Sequence, residues 1–235
     1  LTKAFAWAPA FKEYFAVKAT PNPTLLKILA EEGFGADCSS LPELLLADMS
    51  GIKGEDIILT SNDTPADEFQ KAIDLGAVIN LDDITHIEYL EKNVRLPEFI
   101  SFRYNPGPLL ESSNTIIGKP EEAKYGLTRE QLFEAYKIVK EKGVKRFGLH
   151  TMVSSNELNA DCFIATAQMM FELAVELKQQ LDIDLEFVNL GGGVGIPYTP
   201  EQEEVDLEYV GAGIQKVYQN TIEKNNLKPL KIAME

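Results

Sequence analysis

The chain has 235 residues, of which a quarter are charged and 45% hydrophobic, enough to bury one large core as a single globular domain. A formal net charge of -15 leaves no basic stripe to neutralise phosphates, which argues against a nucleic-acid partner, and no apolar run is long enough to span a membrane. Only Cys38 and Cys162 are present, far apart, so a disulfide framework is excluded and a reducing, cytoplasmic compartment is expected; His86 and His150 are too far separated to suggest a zinc site.

Residues 1–11 have the spacing of a helix tail, with Ala4, Phe5, Ala8 and Phe11 apolar, and without an N-terminal cap they read as the stump of something longer. Tyr14-Phe15-Ala16-Val17 is a short aromatic and β-branched run, read as a strand buried on both faces. Lys18 stands at its end, before Pro21 and Pro23 stop the pairing. A lysine with its stem in apolar surroundings loses ammonium hydration, which favours the free amine needed for a Schiff base. A lysine that snorkels to water from a strand end is the plain alternative. A helix is expected from Thr24 to the stop at Gly33.

Gly35-Ala36-Asp37-Cys38-Ser39-Ser40 reads as a short strand entering a leucine-rich helix over 41–49, with Ser40 as N-cap and Glu43 closing a capping box. Strands follow over 56–60, 77–81 and 98–104, with helices over 65–75 and 83–92 between them. From Asn105 to Gly126 the rhythm breaks in a passage rich in proline and glycine, and a loop this long inside a compact domain is usually functional or mobile. The period resumes with a helix over 128–142, a strand over 146–151 and a helix over 159–180. A strand over 184–190 then ends in Gly191-Gly192-Gly193, and a helix over 203–224 leads to a last strand over 230–234, followed by Glu235.

Eight strands alternating with helices give the count and size of a (β/α)8 TIM-type barrel over residues 1–235, with no residues left for a helix after the eighth strand. A doubly wound open sheet is the alternative, disfavoured because no dinucleotide fingerprint follows the first strand. If the strands are parallel, their last positions share one rim: Lys18, Asp37, Thr60 or Asn62, Asn80 or Asp82, Arg103, His150, the glycine triplet and Glu235. Each alone has an ordinary explanation: a turn aspartate, a surface arginine, a satisfied core histidine. Together they bring a lysine, carboxylates, an arginine and a histidine to one mouth. Consecutive glycines let backbone N–H groups turn inward on an anion, and barrels commonly bind phosphate after strands seven and eight. A Schiff-base lysine, a phosphate nest and a carboxylate across the mouth point to pyridoxal phosphate.

Phe15-Ala16-Val17-Lys18-Ala19 resembles the pyridoxal-lysine segment of the barrel-type decarboxylases of basic amino acids. Gly35 to Ser40, Lys124-Tyr125-Gly126-Leu127, Gly148-Leu149-His150-Thr151, Asn189-Leu190-Gly191-Gly192-Gly193 and Met234-Glu235 resemble that family's later motifs, in the same order. Within the family the likeness is to the diaminopimelate decarboxylases, and it covers nearly the whole chain. The resemblance implies that Lys18 holds the cofactor's aldehyde and reprotonates the product carbon, and that Asp37 holds its ammonium. Gly191, Gly192, Gly193 and Ser155 would bind the phosphate and Glu235 would keep the ring nitrogen protonated. Arg103 joins the cofactor-binding set and His150 the catalytic one. The chain departs from the pattern where a second histidine and a glycine usually stand, at Met152 and Ser154; a thioether can pack on the cofactor ring in that histidine's place.

The resemblance implies decarboxylation of meso-diaminopimelate to lysine, a small amino acid as substrate, and a homodimer at full length. It also implies a β-domain from both termini, without which these 235 residues are expected to fold but not to turn over substrate. The alternatives are a decarboxylase of ornithine, arginine or another basic amino acid, a catalytically silent homologue that binds another protein, and a Schiff-base aldolase.

Overall fold

The computed structural model describes residues 1–107 and 125–235. Runs of aromatic and β-branched residues alternate with amphipathic helices, and the chain follows β1 (Ala10–Ala16), α1 (Pro23–Glu31), β2 (Gly35–Cys38), α2 (Leu41–Met49), β3 (Ile57–Ser61), α3 (Ala66–Leu75), β4 (Val78–Leu81), α4 (Thr85–Asn93) and β5 (Phe99–Tyr104). It continues through α5 (Arg129–Glu141), β6 (Arg146–Thr151), α6 (Ala160–Leu181), β7 (Leu185–Asn189), α7 (Leu207–Tyr218) and β8 (Lys231–Met234), with one π-helical turn (Gln219–Glu223) after α7. Each strand pairs in parallel with its neighbour in sequence, and β8 pairs with β1 from Ala10 opposite Lys231 to Glu13 opposite Met234. The expected (β/α)8 barrel is therefore closed. The expected loop over 105–126, with Lys124 of the quoted motif, lies mostly outside the described residues. No described helix is long and apolar enough to cross a membrane, and Cys38 and Cys162 are free thiols.

Side chains alternate across a strand, so every second residue enters the barrel lumen. Tyr14, Ile58, Val78, Phe99, Phe187 and Ala233 form an apolar plug there. Two glycines make room for its rings: a Cβ on Gly35 would stand 2.4 Å from the Tyr14 ring, and one on Gly148 would stand 2.2 Å from that of Phe187. Below the plug, ion pairs close the N-terminal end, with Lys12 2.7 Å from Asp56 and the Arg146 Nε 2.7 Å from Glu186. Two residues above the level of the plug on β2 to β8 lie Asp37, Thr60, Asn80, Ser101, His150, Asn189 and Glu235, a polar layer facing the C-terminal mouth. The outer faces of the strands bury against the helices in one large cluster.

Four local expectations change. Residues 1–9 are turns rather than a helix tail, because the chain enters β1 at Ala10. Their apolar side chains pack instead of marking a helix face: Phe5 is buried and stacked on Phe11 at 4.5 Å, and Trp7 meets the edge of Tyr218 at 5.5 Å. β1 is longer than the run 14–17 and only Tyr14 within it is fully buried. At α2, Ser40 makes no side-chain cap; Glu43 instead accepts from the Ser39 N–H at 2.9 Å, and Glu68 of α3 accepts from the Leu41 N–H at 2.9 Å. Helix α7 starts later than expected, where Asp206 accepts from the Tyr209 N–H at 2.9 Å.

Glu13 follows Lys12 on β1 and points out of the lumen, beside Phe11 and Phe15. Burial pushes its carboxyl up to about 7, the N-terminal ammonium opposes this, and the charge of Glu235 adds to it. The folded state thus holds a proton that the unfolded chain releases near 4.5, so stability falls as pH rises between about 4.5 and about 7 and is flat above. Glu13→Gln should match the parent in unfolding free energy below that window and exceed it by about 2–3 kcal/mol at pH 8. Denaturant titrations at both ends check this; a difference independent of pH would show that Glu13 ionises as an ordinary carboxylate.

Candidate active site

The buried side chain of Val17 faces the helices, and the chain turns sharply over Val17–Ala19, with the Thr20 N–H donating back to the Val17 carbonyl at 3.1 Å. This turn lifts Lys18 onto the rim, where it is exposed. The expected apolar burial of its stem is absent, because Val17 and not Lys18 takes the place at the end of the strand. Lys18 lines a cavity of about 480 Å³ at the barrel mouth together with Thr60, Asn62, Asp82, Arg103 and Met152. Arg103 is already engaged there: its guanidinium stands 3.5 Å from Asp82 Oδ1 and 5.3 Å from the centre of the Tyr125 ring.

Two carboxylates lie deeper in the polar layer and are driven in opposite directions. Burial raises Asp37 well above the usual carboxylate range; the charge of Glu235 raises it further and that of Lys18 pulls the other way. Burial also raises Glu235, but the charged form of His150 and a hydrogen bond from Asn189 outweigh it, and its carboxyl ends below the ordinary value. Asn189 Nδ2 donates to Glu235 Oε1 at 2.8 Å, while Asn189 Oδ1 accepts from the Gly191 N–H at 2.9 Å.

His150 is buried behind Glu235, its Nε2 3.1 Å from Glu235 Oε1 in poor alignment for a hydrogen bond, and its Nδ1 2.9 Å from Asn80 Nδ2. It touches the carboxylate and does not line the cavity. Of the paired expectations on β3 and β4, Thr60 and Asn62 both reach the cavity, Asp82 holds Arg103, and Asn80 holds His150. The Asn80 and Asn189 contacts were not visible in the sequence. Their one signal is that each lies on the inward parity of its strand, Asn80 two residues before Asp82 and Asn189 two before Gly191.

The glycine triplet is first a packing device. A Cβ on Gly191 would stand 2.4 Å from the Thr151 carbonyl oxygen, one on Gly192 2.2 Å from that of Glu235, and one on Gly193 2.2 Å from that of Ser154. The Gly191 N–H is taken by Asn189, and the Gly192 N–H donates to Met152 Sδ at 3.3 Å. The open anion nest expected from sequence is thus partly filled by the chain's own side chains. A thioether is a weak acceptor, so a phosphate oxygen can replace it on Gly192. Ser155 lies half-buried beside Gly193, its Cα 3.1 Å from where a Cβ would be. Met152 bridges the cavity wall and the glycine loop.

The sequence profile of a family described as pyridoxal-dependent decarboxylase, pyridoxal binding domain, matches residues 2–235. The chain belongs to this family. Among relatives of this pyridoxal-binding domain, protein TabA of Pseudomonas amygdali pv. tabaci is 35% identical over 98% of the chain and 54% of its own length. The diaminopimelate decarboxylase of Methanothermobacter thermautotrophicus is 30% identical over 92% of the chain and 51% of its own length. The chain spans about half the length of these curated relatives. A crystal structure of diaminopimelate decarboxylase from M. jannaschii superposes with a TM-score of 0.88 at 25% identity, over 100% of this chain and 56% of that one.

The mouth fits the cofactor of the pyridoxal-binding family, pyridoxal phosphate. Asp37 Oδ1, Thr60 Oγ1 and Asp82 Oδ1 are buried there without a protein hydrogen-bond partner, and an amine, an ionised carboxylate and backbone donors stand around them. A buried carboxylate raised by burial and by a like charge costs stability until a cation comes to it. Asp37→Asn is therefore expected to stabilise the cofactor-free protein at pH 8 by about 1–2 kcal/mol, roughly 2–8 °C in the thermal midpoint. A lowered midpoint would mean that the carboxylate is better satisfied than its surroundings suggest.

Proposed function

We propose that the chain is the cofactor-holding barrel of a decarboxylase that releases carbon dioxide from a basic amino acid, meso-diaminopimelate, to give lysine. The observation that carries this reading is the meeting of Lys18, the raised Asp37 and the lowered Glu235 around the mouth beside the glycine loop. Several relatives are diaminopimelate decarboxylases, which supports the choice of substrate. Pyridoxal phosphate, when bound, supplies a sink for the electron pair left as carbon dioxide departs.

The chain's own residues divide the remaining work. Lys18, exposed on its turn, would hold the aldehyde carbon and return a proton to the product carbon. Asp37 would face its cationic nitrogen. Glu235, held ionised by Asn189 and His150, would keep a proton at the ring nitrogen, which is what makes the ring a strong acceptor of electrons. Gly193, Gly192 and Ser155 would take the phosphate with Gly191 shaping the turn, Met152 would lie against the ring, and the Arg103–Asp82 pair would border it. At full length the protein is proposed to act as a cytoplasmic homodimer.

Pyridoxal phosphate followed by borohydride should leave the pyridoxyl group on Lys18 in a peptide map, and finding it on Lys124 would overturn the assignment. In a chain extended past residue 235, carbon dioxide release should be greatest from diaminopimelate when it is compared with ornithine, lysine and arginine. Glu235→Gln should slow that release by about tenfold or more, the worth of a charge-assisted hydrogen bond of ~1.5–3 kcal/mol. Unchanged turnover would remove Glu235 from the mechanism.

A further inference from the structure

Strands β6 and β7 carry the two loops on which the proposed phosphate site draws, with Ser155 on one and Gly193 on the other. The last pair of the barrel ladder between these strands is His150 opposite Asn189. Beyond it the ladder stops, and the two chains meet again in a parallel bridge between Glu157 and Val194. There the Glu157 N–H donates to the Gly193 carbonyl at 2.8 Å, and the Gly195 N–H donates to the Glu157 carbonyl at 2.8 Å. Beside them Asn156 Oδ1 accepts from the Ile196 N–H at 3.3 Å. The bridge is anchored to the start of α6. The buried Glu157 accepts through Oε1 from the Asn159 N–H at 2.8 Å, and Asn159 caps that helix through the Asp161 N–H at 3.0 Å.

Two residues let the loops approach so closely. Asn156 has a φ of +51°, in the left-handed region that asparagine adopts more readily than most residues with a side chain. At Gly195 the constraint is space. A Cβ there would stand 2.8 Å from the Asn156 carbonyl carbon and 3.0 Å from the carbonyl oxygens of Asn156 and Glu157, main-chain atoms that cannot rotate aside. The bridge uses the N–H groups of Glu157 and Gly195, and it leaves those of Ser155, Gly193 and Val194 without an acceptor among the described residues. Neither Asn156 nor Gly195 lines the cavity at the mouth.

We propose that Asn156 and Gly195 are positioning residues for the phosphate end of the cofactor: they clamp the loop after β6 to the glycine loop, so that Ser155 and Gly193 serve one anion together. This rests on the reading that Ser155 and Gly193 take the phosphate. An anion shared between donors on two loops is held only while the loops keep their spacing, because a hydrogen bond weakens steeply with lost distance and alignment. Fixing the loops beforehand also spares the anion the cost of ordering them. Lys18 stands on the turn after β1, outside both loops. The clamp is therefore felt by the phosphate and not by the aldehyde.

Pyridoxal phosphate and pyridoxal share the aldehyde and the ring and differ in the phosphate, so their affinities for this chain separate positioning from a general loss of fold. Gly195→Ala should weaken pyridoxal phosphate about tenfold and leave pyridoxal within about twofold. Asn156→Ala should weaken pyridoxal phosphate about three- to tenfold. Asn156→Gly restores the backbone angle but not the acceptor, so it should recover part of that loss, and it serves as the test should Gly195→Ala not fold. Equal losses for the two ligands, or undiminished pyridoxal phosphate binding in all three variants, overturn the proposal. Inorganic phosphate gives a readout that needs no Lys18: it should shift the amide resonances of Ser155 and Gly193 in the parent, and about tenfold more of it should be needed in Gly195→Ala. Resonances unmoved by phosphate in the parent would also overturn the proposal, whereas failure of borohydride to label Lys18 would count against the proposed function alone.

Discussion

Closure of β8 onto β1 is the constraint on which the rest of the molecule depends. It makes every strand an interior strand, and it fixes the register in which Glu235 leaves the barrel two residues above Ala233 of the apolar plug. Once that register is set, Glu235 has no freedom to avoid its neighbours. Its N–H donates to the Gly191 carbonyl at 3.0 Å, and its own carbonyl oxygen fills the space that a Cβ on Gly192 would need. The carboxylate is thereby carried to Asn189 on the neighbouring β7 and to His150 on β6 beyond it. A slip by one residue would turn it out of the lumen and turn Met234 in, since side chains alternate with period two.

The same parity explains how a barrel keeps both a dry core and a charged mouth. The plug, from Tyr14 to Ala233, lies one inward position below the layer that holds Asp37, Asn80, His150, Asn189 and Glu235. Water is excluded from beneath by aromatic rings, so charges in the upper layer interact at a lower effective dielectric than they would on a surface. That is the physical reason why two carboxylates in one layer depart so far from ordinary behaviour, and why Lys18, one turn higher and exposed, does not share their burial.

The alternation of strands and helices was legible because parallel strands buried on both faces read as short apolar runs between amphipathic helices. β2, β6 and their rim residues Asp37 and His150 could be placed from the sequence within a residue or two. Other features were decided by contacts between residues far apart in the chain. Nothing local distinguishes a helix tail from the turns of residues 1–9, whose Phe5 is buried by Phe11 and whose Ala4 backbone packs against Gly211 of α7. The burial of Lys18 was misjudged because one turn of backbone, set by where Val17 packs, separates a strand end from a rim. The glycine triplet was visible, but that it packs against Ser154, Thr151 and Glu235 depends on residues up to 43 positions distant in sequence.

The opposite displacement of Asp37 and Glu235 has a further physical implication. Each feels the other, so whichever ionises first raises the cost for its partner. The tie is broken by what faces each group: the charge of His150 and the Asn189 amide outweigh burial at Glu235, whereas at Asp37 the charge of Lys18 and the Thr60 hydroxyl do not. The layer is thus asymmetric before any ligand arrives, with negative charge held on the β8 side and a carboxyl that favours its proton on the β2 side. A cation brought between them is drawn first to Glu235, and the same cation then allows Asp37 to ionise. Stability given up in the empty layer is in this way returned on binding, and it is returned only to a ligand that puts positive charge at both ends of the mouth.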